Sequence, residues 1–151
     1  MDQQSPLIDV QVVNHPVDPT PMEPFPRSAG AECIFLGRTR SETHDKHGEL
    51  SLLCYEAHVG LAENQLRELA EDAIDRFGCI AVRIHHATGE VPLGKASVLV
   101  HVVCPHRDGA FDACRFLIDQ LKATVPVWKR EIWADGETWS GGSPVVVKED
   151  E

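Results

Sequence analysis

The chain has 151 residues, 42% of them apolar and 25% charged, the proportions of one globular domain long enough to bury a core without disulfide or metal staples. Its formal charge of −10 argues against nucleic acid as a partner, since polyanion affinity comes from lysine and arginine neutralising phosphates. No apolar run approaches a bilayer span, and Met1 to Leu7 lacks the cationic opening and apolar block of a secretory signal, so the expected address is the cytoplasm and no membrane is expected to be engaged.

In chain order, Leu7 to Val13 reads as a short strand. Pro16, Pro19, Pro21, Pro24 and Pro26 then forbid a regular helix, so residues 14–29 are an extended connector. Ala31 to Gly37 is an apolar strand ending in Gly37-Arg38-Thr39-Arg40. Ser41 to Glu49 is a polar, histidine-bearing stretch expected to be a mobile loop. Strand character resumes from Leu50 to Tyr55, and these two apolar runs are expected to pair as a hairpin with a long connection. Ala62, Leu66, Leu69, Ala73, Ile74 and Phe77 recur at three- and four-residue steps, the mark of an amphipathic helix, with Gly78 as its C-terminal stop. Ile80 to Ile84 and Ser97 to Cys104 follow as strands on either side of a turn at Val91-Pro92-Leu93-Gly94. A second helix is predicted from about Asp108 to Val125, burying Phe111, Cys114, Ile118, Leu121 and Val125 and halted by Pro126. Val127 to Trp133 is a last clear strand, and the tail carries Pro144-Val145-Val146-Val147 and three terminal acids.

Two helices packed on strands, with no internal repeat, give an α+β class with a mostly antiparallel sheet. The chain divides into an N-terminal strand and proline-rich connector (1–30), a main domain (31–139) and a tail (140–151). Five cysteines, Cys33, Cys54, Cys79, Cys104 and Cys114, form no CxxC pair. All lie in apolar stretches, where a thiol packs as a small hydrophobe, and the odd count suits a reducing compartment. His85 and His86, adjacent on a strand, face opposite ways and cannot readily share a metal. Glu90 and Glu131 are candidate catalytic carboxylates, yet neither pairs with a second acid at a readable spacing.

The few basic residues are unevenly placed: Arg38 with Arg40, His106 with Arg107, then Lys122, Lys129 and Arg130. In an acidic protein such gathering suggests a pocket for a small anion. Lys122 falls three residues after Asp119 and seven after Arg115, beside the buried stripe of the second helix. The reversal at Pro126 can carry Lys129 back towards it, and two neighbouring, partly buried amines disfavour their charged forms and become usable for acid–base work. Spacing alone favours the plainer alternative of two solvated lysines, since most lysines are exposed. Pro105-His106-Arg107-Asp108-Gly109 leads from a strand into a helix N-terminus, a natural anion site; the plainer alternative is that Asp108 caps the helix and its neighbours are solvated. Arg38 and Arg40 share a face if the strand extends that far.

Taken together, Phe35-Leu36-Gly37-Arg38-Thr39-Arg40, Leu53-Cys54-Tyr55-Glu56-Ala57-His58, His85-His86-Ala87-Thr88-Gly89-Glu90, Pro105-His106-Arg107-Asp108-Gly109-Ala110-Phe111, Leu121-Lys122 and Pro126-Val127-Trp128-Lys129-Arg130-Glu131 closely resemble, in that order, the large catalytic subunits of molybdopterin synthase, over roughly Ala31 to Trp139. The resemblance implies an α/β hammerhead-type fold with a small β sub-domain, a homodimer, and a small ubiquitin-like sulfur-carrier subunit at each end, making a heterotetramer. The carrier's C-terminal Gly-Gly thiocarboxylate would donate sulfur to cyclic pyranopterin monophosphate, two donations building the dithiolene. Lys122 and Lys129 would be catalytic, Lys122 foremost. Arg40, His106 and Arg107, with Arg38 and Arg130, would hold the anionic substrate, some of them across the dimer. Since the sulfur arrives on the carrier, no metal and no cofactor is implied. The rival expectations are a non-catalytic adaptor or phospho-ligand-binding module that docks a ubiquitin-like protein, and a zinc hydrolase built on His44 and His47.

Overall fold

The computed structural model describes residues 5–140; the Pro144–Val147 run and the acidic end lie outside the described residues. Nine strands and two helices follow in the order β1 (Leu7–Val13), β2 (Ala31–Arg38), β3 (Thr43–His44), β4 (Gly48–Ala57), α1 (Val59–Phe77), β5 (Ala81–Ala87), β6 (Gly89–Pro92), β7 (Ala96–Cys104), α2 (Arg107–Thr124), β8 (Val127–Trp133) and β9 (Gly136–Ser140). The class is α+β and the pairing mostly antiparallel, β1 alongside β5 being the parallel exception.

Strand pairing divides the chain into two sheets. The first has the order β1-β5-β7-β2; the second runs β3-β4-β8-β9, with β6 also paired to β4. The expected hairpin between the runs at 31–37 and 50–55 does not form. Ala31–Arg38 pairs with β7, and Gly48–Ala57 pairs with β8 and β6 in the other sheet. Two-residue alternation shows which way a strand's side chains point but not which strand lies beside it. The stretch 41–49, expected as a loop, folds back as β3, Thr43 opposite Glu49 and His44 opposite Gly48. The His44 ring packs 5.1 Å from Trp133.

Both helices cover one face of the first sheet, α1 over β1 and β5, α2 over β7 and β2. The predicted periodicity of α1 holds: Ala62, Leu66, Leu69, Ala70 and Ala73 are buried. His58 Nδ1 accepts the Leu61 N–H at its start, and Gly78 closes it at φ 71° with its N–H on the Ile74 carbonyl, a left-handed cap glycine adopts without strain. For α2 the buried set is Ala110, Ala113, Cys114, Leu117 and Leu121. Phe111, expected inside, is 64% exposed: the buried stripe is set by Ala110, Ala113 and Leu117, and Phe111, 100° round the helix from Ala110, falls outside it.

Every residue of β7 is buried, so both faces of the sheet's centre must be covered. Val98, Val100, Val102 and Cys104 face the helices. On the other side Leu99 packs with Val17 and Val91, and Val103 with Met22. The proline-rich connector therefore seals the far face: Val17 bonds the Ala96 carbonyl at 3.0 Å, and Arg83 Nη1 donates to the Thr20 carbonyl at 2.8 Å. Cys79, Cys104 and Cys114 are buried, Cys33 and Cys54 partly so, and all five thiols are free. Neither helix is long and apolar enough to cross a membrane.

Candidate active site

Where the two sheets meet, a cavity of about 190 Å³ opens, lined from β2 and the turn after it by Gly37, Arg38 and Arg40, from β7 by Ser97 and Val98, from α2 by Lys122, and from β4 and β8 by Tyr55, Lys129 and Glu131. The chain reversal after Thr124 is what unites the amines. Val125 and Pro126 are buried, and β8 starts at once, so the last turn of α2 and the third residue of β8 reach the same space. Gly37 helps to keep that space open, because a Cβ there would sit 2.8 Å from Val98 Cγ1.

Lys122 as a whole stays in contact with solvent, yet burial withholds enough water from its ammonium to lower its pKa, and the charge of Lys129 lowers it further. Both causes favour the neutral amine. Arg38 donates to the Gly94 carbonyl at 2.8 Å, which fixes its guanidinium at the rim; Arg40 pairs loosely with Glu42 at 3.4 Å, both exposed, a contact worth little in water.

The remaining predicted binding residues lie elsewhere in the single chain. His106 and Arg107 stand exposed at the other end of α2, 15 residues or about 22 Å from Lys122 along the helix. His106 is the N-cap but makes no side-chain cap bond; Asp108, a residue inside the first turn, does not cap the helix. Arg130 alternates to the face opposite Lys129, where it donates to Glu137 at 2.8 Å, lies 3.6 Å from Cys54 Sγ and sits 5.8 Å over the Trp139 ring.

The sequence named Glu131 only as an unpaired candidate carboxylate and gave Tyr55 no role. Tyr55 is the direct cross-strand neighbour of Lys129, and Leu53 of Glu131, so phenol, amine and carboxylate share one face. Glu131 accepts from Thr138 Oγ1 at 2.5 Å, which in turn accepts from Trp133 Nε1 at 2.9 Å. The Tyr55 ring meets His86 edge-on, with centroids 5.4 Å apart. His86 is 5% exposed and lies within the short Nδ1–Ala87 carbonyl contact of 2.8 Å; burial chiefly, opposed by that hydrogen bond and helped by the Lys122 charge, pushes its pKa down to about 4. One signal was available: Glu131, two residues beyond Lys129 on a strand, must share its face.

A pair of amines of which one is pushed towards neutrality, beside arginines and a fixed carboxylate, is suited to proton transfer and oxyanion stabilisation. Such an arrangement is what an acid–base enzyme acting on an anionic substrate requires. Comparison with known proteins narrows the class. The family model of the MoaE protein matches residues 8–124. The chain is 38% identical over 115 residues to the molybdopterin synthase catalytic subunit of Pyrococcus abyssi, 76% of each chain being covered. It is 36% identical over 144 residues to that of Arabidopsis thaliana, covering 94% of this chain and 72% of the relative. The crystal structure of molybdopterin synthase from Staphylococcus aureus superposes with a TM-score of 0.78 at 31% identity, over 87% of this chain and 96% of that one. The chain belongs to the molybdopterin synthase catalytic subunit family.

Proposed function

We propose that the cavity is the site of sulfur transfer, from the C-terminal thiocarboxylate of a small ubiquitin-like subunit to cyclic pyranopterin monophosphate, in the cytoplasm. The observation that carries this reading is the meeting of Lys122 and Lys129 in one arginine-flanked recess of a protein with net charge −10. Arg38 and Arg40 neutralise the substrate phosphate, Arg by paired N–H donors. Lys122, whose ammonium form burial and the Lys129 charge disfavour, moves protons as sulfur adds and the acyl group leaves; Lys129 stabilises the oxygen charge that develops. No thiol of this chain takes part, in keeping with the buried Cys79 and Cys114, whose pKa values burial pushes up to about 12.

His106 and Arg107 enter this scheme through a second copy. They lie too far from their own cavity to touch a substrate held there, and in a homodimer they serve the cavity of the neighbouring chain. Arg130, facing away from the cavity, is left to the rim or to contact with the small subunit. The test is to mix the protein with thiocarboxylated small subunit and the pterin precursor and to follow dithiolene formation in Lys122→Ala and Lys129→Ala. Loss of at least about a hundredfold in rate is expected for Lys122→Ala, the scale of removing one acid–base group. A docking adaptor would bind the small subunit and give no lysine-dependent product.

A further inference from the structure

Tyr55 occupies a position that none of the predicted roles uses. In the pairing of β4 with β8 it stands directly opposite Lys129, which sets their Cβ atoms about 5 Å apart on the cavity face. Its other flank is opposite Gly89 of β6, where there is no side chain to cover it. The ring is wedged between the sheets, edge-on to His86 of β5, and the residue lines the cavity together with Ser97, Lys122 and Glu131. A phenol held from two sheets has little rotational freedom, and it belongs to the lining of the cavity that both lysines also line.

We propose that Tyr55 is a third catalytic group of this site, a neutral hydrogen-bond donor to the acyl oxygen of the thiocarboxylate as that oxygen gathers negative charge. The inference rests on the sulfur-transfer reading above. In the step concerned, the thiocarboxylate sulfur has already bonded to a carbon of the pterin, making the acyl group a thioester. Water adds to the acyl carbon, the acyl–sulfur bond breaks with its electron pair kept by sulfur as a thiolate on the pterin, and the small subunit departs as a carboxylate. The two protons of water pass to the site's bases and to solvent. The phenol keeps its proton throughout and donates only a hydrogen bond, so it is unchanged at the end of the cycle.

The groups facing the phenol fit that role. Burial raises the pKa of Tyr55 and the Glu131 carboxylate raises it further, with the Ser97 hydroxyl acting the other way. From β5 it meets His86, which is uncharged at neutral pH; from β8 and α2 the side chains of Lys129 and Lys122 line the same cavity. Tyr55 thus stays protonated across the working range, which a donor to an oxyanion requires.

Tyr55 is the chain's one tyrosine, so it can be tested in two independent ways. Tyr55→Phe keeps the ring against His86 and deletes the hydroxyl. The expected result is a loss of about 10- to 100-fold in kcat with KM for the small subunit changed by less than about twofold and an unaltered melting temperature. Biosynthetic replacement of tyrosine by 3,5-difluorotyrosine alters only this phenol and makes it more acidic without changing its shape. Activity of the fluorinated protein should then fall at a lower pH on the alkaline side than that of the ordinary protein, a shift that a merely structural ring would not produce. Superimposed pH profiles, or a Tyr55→Phe kcat equal to the ordinary one, overturn this inference while leaving the function intact. Absence of sulfur transfer by the unmodified protein, or transfer indifferent to Lys122→Ala, overturns the functional reading and this inference with it.

Discussion

Replacing His86 by phenylalanine should flatten the acid limb of the stability curve. In the folded chain the imidazole is buried and its pKa falls from 6.5 to about 4, so between those values the unfolded chain binds a proton that the folded chain refuses. Stability is therefore complete above pH 6.5 and declines as pH drops towards 4. The shift of 6.5 − 4 = 2.5 units corresponds to about 3.4 kcal/mol at about 1.36 kcal/mol per unit, of which roughly 2.5 kcal/mol is gone by pH 4.5. With a urea m-value of about 2 kcal/mol/M for a domain of this size, the midpoint moves by about 1 M. Asp9 interferes little. Burial pushes its carboxyl up, but the Gln11 hydrogen bond and the charges of His85 and Arg83 hold it below its usual value of 3.8, so its stabilisation is lost only in more acid solution. The assay is urea unfolding of both proteins at pH 7.5 and 4.5, with equal m-values as the check on two-state behaviour. His86→Phe loses the Ala87 contact and starts from lower stability, but the difference between the two pH values should shrink by about 1 M relative to the ordinary protein. Equal pH-dependent differences in the two proteins would refute the reasoning, because the proton would then be refused by some other group.

Lys129→Met should move the titration of Lys122 to higher pH, since a neighbouring positive charge that now lowers it is removed; ¹³C-labelled lysine observed by NMR reads the change. An unmoved Lys122 signal would mean that the amines are too far apart to interact. Thr138→Val breaks the link from Trp133 through Thr138 to Glu131 and should cost about 1–3 kcal/mol in unfolding free energy, the range for leaving a partly buried polar group unmatched. Gly30→Ala would drive a Cβ to 2.5 Å from the Pro105 carbonyl oxygen, forcing backbone to move; a drop of several degrees in melting temperature is expected, and an unchanged melting curve would show that the β2 entry yields freely.

Local features of the chain announced themselves and distant ones did not. The apolar steps of α1 and its Gly78 stop, and the extent of β7, follow from periodicity and backbone chemistry alone. The pairing of β2 with β7 rather than β4 joins residues some sixty positions apart, and no pattern within either strand encodes it. Likewise β9 has no alternation strong enough to stand out, its Trp139 being 58% exposed; it exists because β8 offers an edge. For the site, the union of Lys122 and Lys129 was readable because a single proline-marked reversal separates them. Tyr55 was not, since its place beside Lys129 depends on the register of two strands that lie more than seventy residues apart. His106 and Arg107 were tied to the amines only by the family resemblance, because an 18-residue helix is a rigid spacer that keeps its two ends apart.

The proline-rich stretch before Ala31 has a practical bearing on how this protein is handled. Because its irregular path supplies Val17 and Met22 to the cover over Leu99 and Val103, trimming it as a dispensable leader would leave β7 with a wetter, greasy underside and strip β5 of its parallel neighbour. Shortened versions designed around the catalytic recess alone should come out sticky and poorly soluble, even though every residue of the recess would still be present.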